Sequence, residues 1–322
     1  MSQESRERRG PARKSATPSG APRTPTIIVP LDGTTHALAA LPVAQALAEL
    51  EGAMLHVVHV AEPVLPPREL LAKLGLTPER LRGSVIEQEV GAPAAGIVKA
   101  AREWQSVLVV MCTHTGLDKA RGQLGSVAEA TLYDAPCPVA LVRPERGLEP
   151  WTVRRVLLPH DGTPVSAAAI GPAADLAHRA QAQLDVLHVS APGAARPVEP
   201  GTFAMPRYLD QPQHEWPAWA REFLERLRGL GHLPAARRLH LFLAKGDPGT
   251  EVVRFARDHQ SDLIVLAWRG HLEAARAATV KAVIGDTPCP VLVVRVEPER
   301  VPAATLPSER RAGHRPEQAS SA

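Results

Sequence analysis

Ile27-Ile28-Val29-Pro30-Leu31-Asp32-Gly33-Thr34 and Val156-Leu157-Leu158-Pro159-His160-Asp161-Gly162-Thr163 are two versions of one phrase. Each is a short aliphatic run that meets a proline and turns on Asp-Gly-Thr. A run that short, closed by a turn signal, reads as a buried strand. The surroundings repeat too. Met54-Leu55-His56-Val57 and Val186-Leu187-His188-Val189 give each copy a second strand. Gly91-Ala92-Pro93 and Gly246-Asp247-Pro248 each open an amphipathic helical segment. Further apolar runs follow, Val107 to Met111 and Asp262 to Leu266, and both copies finish on Pro-Cys-Pro-Val, at 136–139 and 288–291. Five segments in one order make this a duplication.

The spacings show where the copies part. From Asp32 to Gly91 is 59 residues and from Asp161 to Gly246 is 85, a gain of 26 in the second copy. The gain maps onto 191–217, which holds six prolines together with Phe203, Tyr208 and Trp216. From Pro93 to Cys137 is 44 residues but from Pro248 to Cys289 is 41, and the loss falls before the last helix. Continuous apolar strands separated by helices predict, in each copy, a doubly wound parallel sheet covered on both faces. The first helix is expected to start near Thr35, with Pro42 kinking it unless the start is later.

With 322 residues the chain is long enough for two domains. The expected division is a disordered basic tail over 1–23, domains over 24–145 and 153–296 joined by a linker at 146–152, and a disordered tail over 297–322. Residues 1–23 carry six basic side chains against two acidic, while 24–296 hold 27 basic and 28 acidic. The folded part is therefore near neutral and shows no footprint for nucleic acid. No apolar run is long enough to cross a membrane. Three cysteines form no disulfide framework and, with no His-x-x-x-His or Cys-x-x-Cys pair, no metal-ligand spacing. A cytoplasmic setting and no metal site are expected.

The order Pro-Leu-Asp-Gly-Thr at 30–34, Leu-His-Val-Val at 55–58, Gly-Ala-Pro at 91–93, Gly-Ser-Val at 125–127 and Ala-Pro-Cys-Pro-Val at 135–139 resembles the universal stress protein family. The resemblance runs over about 24–143 and 153–296. It implies two tandem α/β domains of the adenine nucleotide alpha hydrolase-like kind, paired through their last strands (138–143 with 290–295) as an intramolecular pseudo-dimer. It also implies a stress-response regulator that binds ATP or another adenine nucleotide, with Mg as an accompanying ion, and turns it over slowly or not at all. A further homodimer and a protein partner are compatible with it.

ATP-holding members share two glycines three apart, then nine residues, then Gly-Ser or Gly-Thr. The chemistry is general: glycines let backbone approach phosphate, and a helix start offers unbonded amides and a positive dipole end. Here Gly125-Ser126-Val127 keeps the second half, but Cys112 and Thr115 stand where the two glycines belong. The resemblance assigns Pro30, Leu31, Asp32, Met111, Thr113, His114, Thr115, Gly125, Ser126 and Val127 to a nucleotide site. The second copy reads Ala267-Trp268-Arg269-Gly270 and is three residues shorter before Thr279. Asp161, Arg269, Gly270 and Thr279 are therefore expected to mark a degenerate site. Asp32 and Asp161 stand equally as turn-forming caps on the next helix, His56 and His188 as hydrogen-bonded strand histidines, and Cys112 as the one thiol to examine for reactivity. The other functional reading is a scaffold that binds no nucleotide and uses 191–217 as a contact surface.

Overall fold

The computed structural model describes residues 24–81, 83–114, 124–190, 225, 239–269 and 274–296. The proline-rich segment 191–217 and both tails lie outside them. The first copy runs β1 (Thr26–Pro30), α1 (Ala40–Glu51), β2 (Met54–Val60), α2 (Pro67–Lys73), β3 (Ser84–Glu89), α3 (Pro93–Glu103), β4 (Leu108–Cys112), α4 (Ser126–Asp134) and β5 (Val139–Val142). The second runs β6 (Arg155–Pro159), α5 (Pro164–Ala167), α6 (Ile170–Arg179), β7 (Gln183–Ser190), β8 (Leu239–Lys245), α7 (Pro248–Asp258), β9 (Leu263–Trp268), α8 (Ala274–Asp286) and β10 (Val291–Arg295).

All ten strands form one sheet in the order β3-β2-β1-β4-β5-β10-β9-β6-β7-β8. Within each copy the neighbours are parallel; the single antiparallel join is β5 with β10, where Ala140 faces Leu292. The fold is two tandem doubly wound α/β domains in a pseudo-dimer, as the sequence predicts. Strand order reverses beside β1, which lies between β2 and β4, and beside β6, which lies between β7 and β9. Crevices at the carboxyl ends of strands open at such points.

Helices cover both faces. Leu41, Val43, Ala44 and Leu47 of α1 and Ile170, Ala173, Ala174 and Ala177 of α6 bury on one face, in an apolar cluster that runs through both copies. Ile97 and Ala101 of α3, Leu132 of α4, Val252 and Phe255 of α7, and Val283 and Ile284 of α8 bury on the other. At the join, Tyr133 of α4 meets Trp268 of β9 edge to face at 4.8 Å, and the Arg143 guanidinium donates to the Gly285 carbonyl. Gly96 lets α3 lie close on β2, since a Cβ there would sit 2.8 Å from both Val60 methyls.

Two expectations need correction. A 3-10 turn over Ala37–Ala39 precedes α1, which starts at Ala40 rather than near Thr35. Pro42 thus lies in the first turn, where its missing N–H forfeits no helical bond and no kink is needed. The second concerns register. Ile27 pairs with Leu55 and Val156 with Leu184, so His188 corresponds to His59, and His56 to Asp185.

The connector between copies is tied down rather than slack. Trp151 is buried and its Nε1 donates to the Asp262 carbonyl at 3.2 Å. The Asp262 Oδ2 accepts the amides of Arg154 and Arg155, both at 2.9 Å, and so fixes the start of β6. Asp262→Ala removes two charge-assisted bonds and should lower unfolding free energy by about 2 kcal/mol. Asp262→Asn, which keeps an acceptor, should lose less. Urea denaturation of both variants checks this, and equal losses would contradict the role given to that oxygen.

Candidate functional site

At the switch point of the first copy lies a cavity of about 320 Å³. Pro30, Leu31 and Asp32 line it from the end of β1, Met111 from β4 with Thr113 and His114 just beyond that strand, and Gly125, Ser126 and Val127 from the start of α4. The structure therefore brings together nine of the ten residues the sequence assigns; Thr115 lies outside the described residues. Val58, Val60, Pro93, Ile97 and Ala37 complete mostly apolar walls that sequence reasoning did not pick out. They carry no chemical signature and look like core residues in the sequence.

Asp-Gly-Thr builds the floor. The Asp32 Oδ1 accepts the Thr34 amide at 2.8 Å and the Thr34 hydroxyl at 2.7 Å. Gly33 supplies the φ of +90° that closes this turn, and Thr34 Oγ1 accepts the Ala37 amide at 3.2 Å. The cap on the following turn is thus made by the threonine, with the aspartate holding it in place. The second copy repeats the device: Asp161 Oδ1 accepts from Thr163, which caps α5.

The opposite wall is the start of α4. The Gly125 amide donates to the Thr113 carbonyl at 2.7 Å, which pins the helix entry to the strand end. A Cβ on Gly125 would stand 3.1 Å from that carbonyl, so the glycine is there for close approach; its φ of −66° is ordinary. The N-cap has no capping side chain, and a helix gives its first amides no internal acceptor. Ser126, Val127 and Ala128 thus turn three amides and a positive dipole end to the cavity wall.

Cys112 lines the cavity as well. Its side chain lies on the α1 side, with Sγ donating to the His36 carbonyl at 2.9 Å. Burial pushes the thiol up to about 12, so no thiolate forms near neutrality and the residue packs rather than reacts. Cys289, at about 12, and Cys137, at about 11, are raised by burial as well.

The second copy has its own cavity, of about 540 Å³, with Asp161 and Thr279 among its lining residues. Arg269 is exposed and does not line it, and Gly270 lies outside the described residues. The difference from the first copy is structural. Aligned on Pro-Cys-Pro, Ser126 corresponds to Ala278, yet α8 already begins at Ala274. The amides at 278–280 therefore lie within helix, where the preceding turn accepts them. A carboxylate also joins the rim: Asp247, which caps α7 through the Thr250 amide at 2.9 Å, stands where the first copy has Ala92.

The histidines split. His59 Nδ1 lies 2.7 Å from the Leu31 carbonyl and His188 Nδ1 2.8 Å from the His160 carbonyl, one matched pair that braces the strand ends. His56, fully buried, makes no such bond.

The strand order and switch-point crevice define each half as a Rossmann-like doubly wound domain. The sequence model of the universal stress protein family matches residues 24–143 and 152–295, and the chain belongs to that family. A protein described as "Universal stress protein in QAH/OAS sulfhydrylase 3′ region" from Thermus aquaticus is 37% identical over 135 residues, 37% of this chain and 98% of that one. A putative universal stress protein from Pseudomonas aeruginosa UCBPP-PA14 superposes with a TM-score of 0.61 at 18% identity, covering 84% of this chain and 93% of its own. One from Archaeoglobus fulgidus gives 0.56 at 18%, covering 84% and 98%. Among the described residues no helix is long and apolar enough to cross a membrane.

Buried histidines in the second copy give a pH dependence. Burial presses His160 down to about 4, and its Nδ1 accepts the Gly162 amide, which needs the neutral ring; His188 is lowered for the same reason. The unfolded chain takes up these protons below about 6.5, whereas in the folded chain His160 does not until about pH 4 and His188 is shifted in the same direction. Their contribution is therefore intact above pH 6.5 and is lost as pH falls toward 4, by at most about 1.4 kcal/mol per pH unit for each ring. His160→Leu, which copies Leu31 of the first half, should flatten the fall of urea midpoints between pH 6.5 and 4. An unchanged slope would contradict the assignment.

Proposed function

We propose that the first copy binds ATP or another adenine nucleotide, with little or no turnover, and that the second copy does not hold nucleotide in this manner. The chain then works as a cytoplasmic stress-response regulator in which one half carries the ligand and the other is a structural partner. The observation that carries the reading is the α4 entry. Three helix-start amides at 126–128 line a largely apolar cavity at the β1/β4 switch point, beside the Asp32 turn. An anionic tail suits the amides and a planar apolar base suits Val58, Val60, Pro93 and Ile97. Pro30, Leu31, Asp32, Met111, Thr113, His114, Gly125, Ser126 and Val127 are the proposed contacts.

For the second copy the support is the earlier start of α8. It draws the corresponding amides into the helix, and Asp247 adds a second carboxylate to the one that Asp161, like Asp32 in the first copy, already places on the lining. Such a rim disfavours a phosphorylated ligand. Neither cavity presents a lysine, or a base set against a nucleophile, among its described lining residues. That is why the reading is of binding rather than turnover.

Equilibrium dialysis of the full chain against ATP, with and without Mg²⁺, tests the proposal. One nucleotide per chain is expected. Gly125→Glu, which crowds Thr113 and places a carboxylate at the helix start, should weaken binding at least about tenfold, or 1.4 kcal/mol. Ala278→Glu in the second copy should leave it unchanged. Two equivalent sites would overturn the account of the second copy, and none would overturn the proposal.

A further inference from the structure

The second copy holds a polar pocket of about 570 Å³ at the starts of its strands, the opposite end of the sheet from its cavity. Arg154 and Arg155 line it where β6 begins, Arg257 from the last turn of α7, and Ser261 from the turn into β9. Asp262 is the one acid among the described lining residues, and its Oδ2 already accepts the amides of Arg154 and Arg155. Three arginines therefore face one carboxylate that is engaged elsewhere.

Ser261 is what lifts this above a basic surface. It is only 6% exposed, and its Oγ makes no hydrogen bond. Buried polar groups are almost always satisfied, and an orphaned hydroxyl on a pocket wall calls for an acceptor. Arg154 and Arg257 are exposed, and among the described residues their guanidinium groups make no hydrogen bond or ion pair. Arg155 is held from behind. Its Nε stands 3.8 Å from the buried Asp185 Oδ2, and its Nη1 donates to the His259 carbonyl. That bond blunts the negative end of α7 where it meets the pocket.

The first copy shows that the fold does not need this arrangement. By strand register and helix alignment, Pro25, Thr26, Arg102 and Ser106 stand where the second copy has Arg154, Arg155, Arg257 and Ser261. There the same groups are used up internally. Ser106 Oγ donates toward the Leu108 carbonyl at 2.7 Å and lies 3.1 Å from that of Thr26, while Arg102 Nη2 donates to the Asp134 carbonyl at 3.2 Å. The second copy has gained two arginines and released a third together with the hydroxyl.

We propose that this pocket binds a diphosphate group that carries no nucleobase. Guanidinium forks match phosphoryl oxygens two bonds at a time, and the Ser261 hydroxyl donates to one more oxygen. Arg154 and Arg257 come from separate elements, so a ligand with two charged ends engages both where a single carboxylate would serve one. Only Ala256 and Pro288 are apolar in the described lining, so a base finds no wall here, unlike in the first cavity. The site is independent of the nucleotide reading, since it lies in the other copy and at the other end of the strands. In the sequence its arginines read as ordinary surface charge, because they come from a strand start and a helix end about a hundred residues apart.

The test is calorimetric titration of the full chain with sodium pyrophosphate, in a Gly125→Glu background that blocks the helix start of the first cavity. One pyrophosphate per chain is expected. Arg154→Met with Arg257→Met, both at exposed positions, should weaken uptake at least about tenfold. Arg254→Met, which removes an equal charge already paired with Glu251, should leave it unchanged. Ser261→Ala should weaken it about threefold and leave the urea midpoint where it was, because that hydroxyl has no internal bond to lose. ADP should bind this variant more weakly than pyrophosphate. No uptake, uptake equal in the double arginine variant, an equal loss in Arg254→Met, or ADP bound as tightly would each overturn the proposal.

Discussion

The backbone ladder between β5 and β10 is the constraint from which the rest follows. Each five-stranded half ends in a short apolar strand, Val139–Val142 or Val291–Arg295, whose outer amides and carbonyls would otherwise be an open edge. Pairing them antiparallel satisfies both and makes one sheet of ten strands. It also fixes where the last helices lie. Tyr133 near the end of α4 meets Trp268 at the end of β9, so the helix that begins at the first cavity ends against the strand that leads to the second. The two cavities thus share a rigid frame although they share no lining residue.

Within that frame, the copies differ mainly in where one helix starts. In the first, a glycine packed at 2.7 Å on the Thr113 carbonyl sets the entry and leaves amides at the cavity wall. In the second, helix begins at Ala274 and runs through the equivalent position. At that entry the first copy has Gly125, a poor helix former, where the second has Ala277, a good one, so the second helix runs on through the position. Gly249 in the second copy allows the tighter approach of α7 and α8, because a Cβ there would sit 2.8 Å from the Ala282 Cβ.

Much of this was legible in the sequence, and for definite reasons. The duplicated Asp-Gly-Thr and Pro-Cys-Pro phrases fix strand ends, and strand ends of a doubly wound sheet locate the crevice. That is why nine assigned residues fall around one cavity. What misled were short apolar runs with a polar residue inside. The phrase Leu-His-Val occurs in both second strands, and matching it aligned His56 with His188, but the ladder with β1 and β6 puts His59 there instead. Period-two strands offer no internal mark of register, since a shift is paid for only in tertiary contacts. The late start of α1 was hidden for a similar reason, because Pro42 reads equally as a kink or as a first-turn residue.

The position occupied by His56 and Asp185 shows what the copies conserve and what they leave open. Both place an ionisable group, wholly buried, at the same point of the second strand. In the first copy it is a base beside an acidic neighbour, His56 with Glu87; in the second it is an acid beside bases, Asp185 with His240 at 3.3 Å and Arg155 at 3.8 Å. A purely apolar residue would fit either strand, so the core does not demand charge there. Asp185 Oδ1 also accepts from Gln183 Nε2 at 2.6 Å, while its Oδ2 makes no hydrogen bond and has Arg155 Nε at 3.8 Å. His56 instead packs edge to face against Trp104, with Glu87 Oε2 3.2 Å from its Nε2. The two halves have thus kept one backbone while reversing the chemistry on its outer edges.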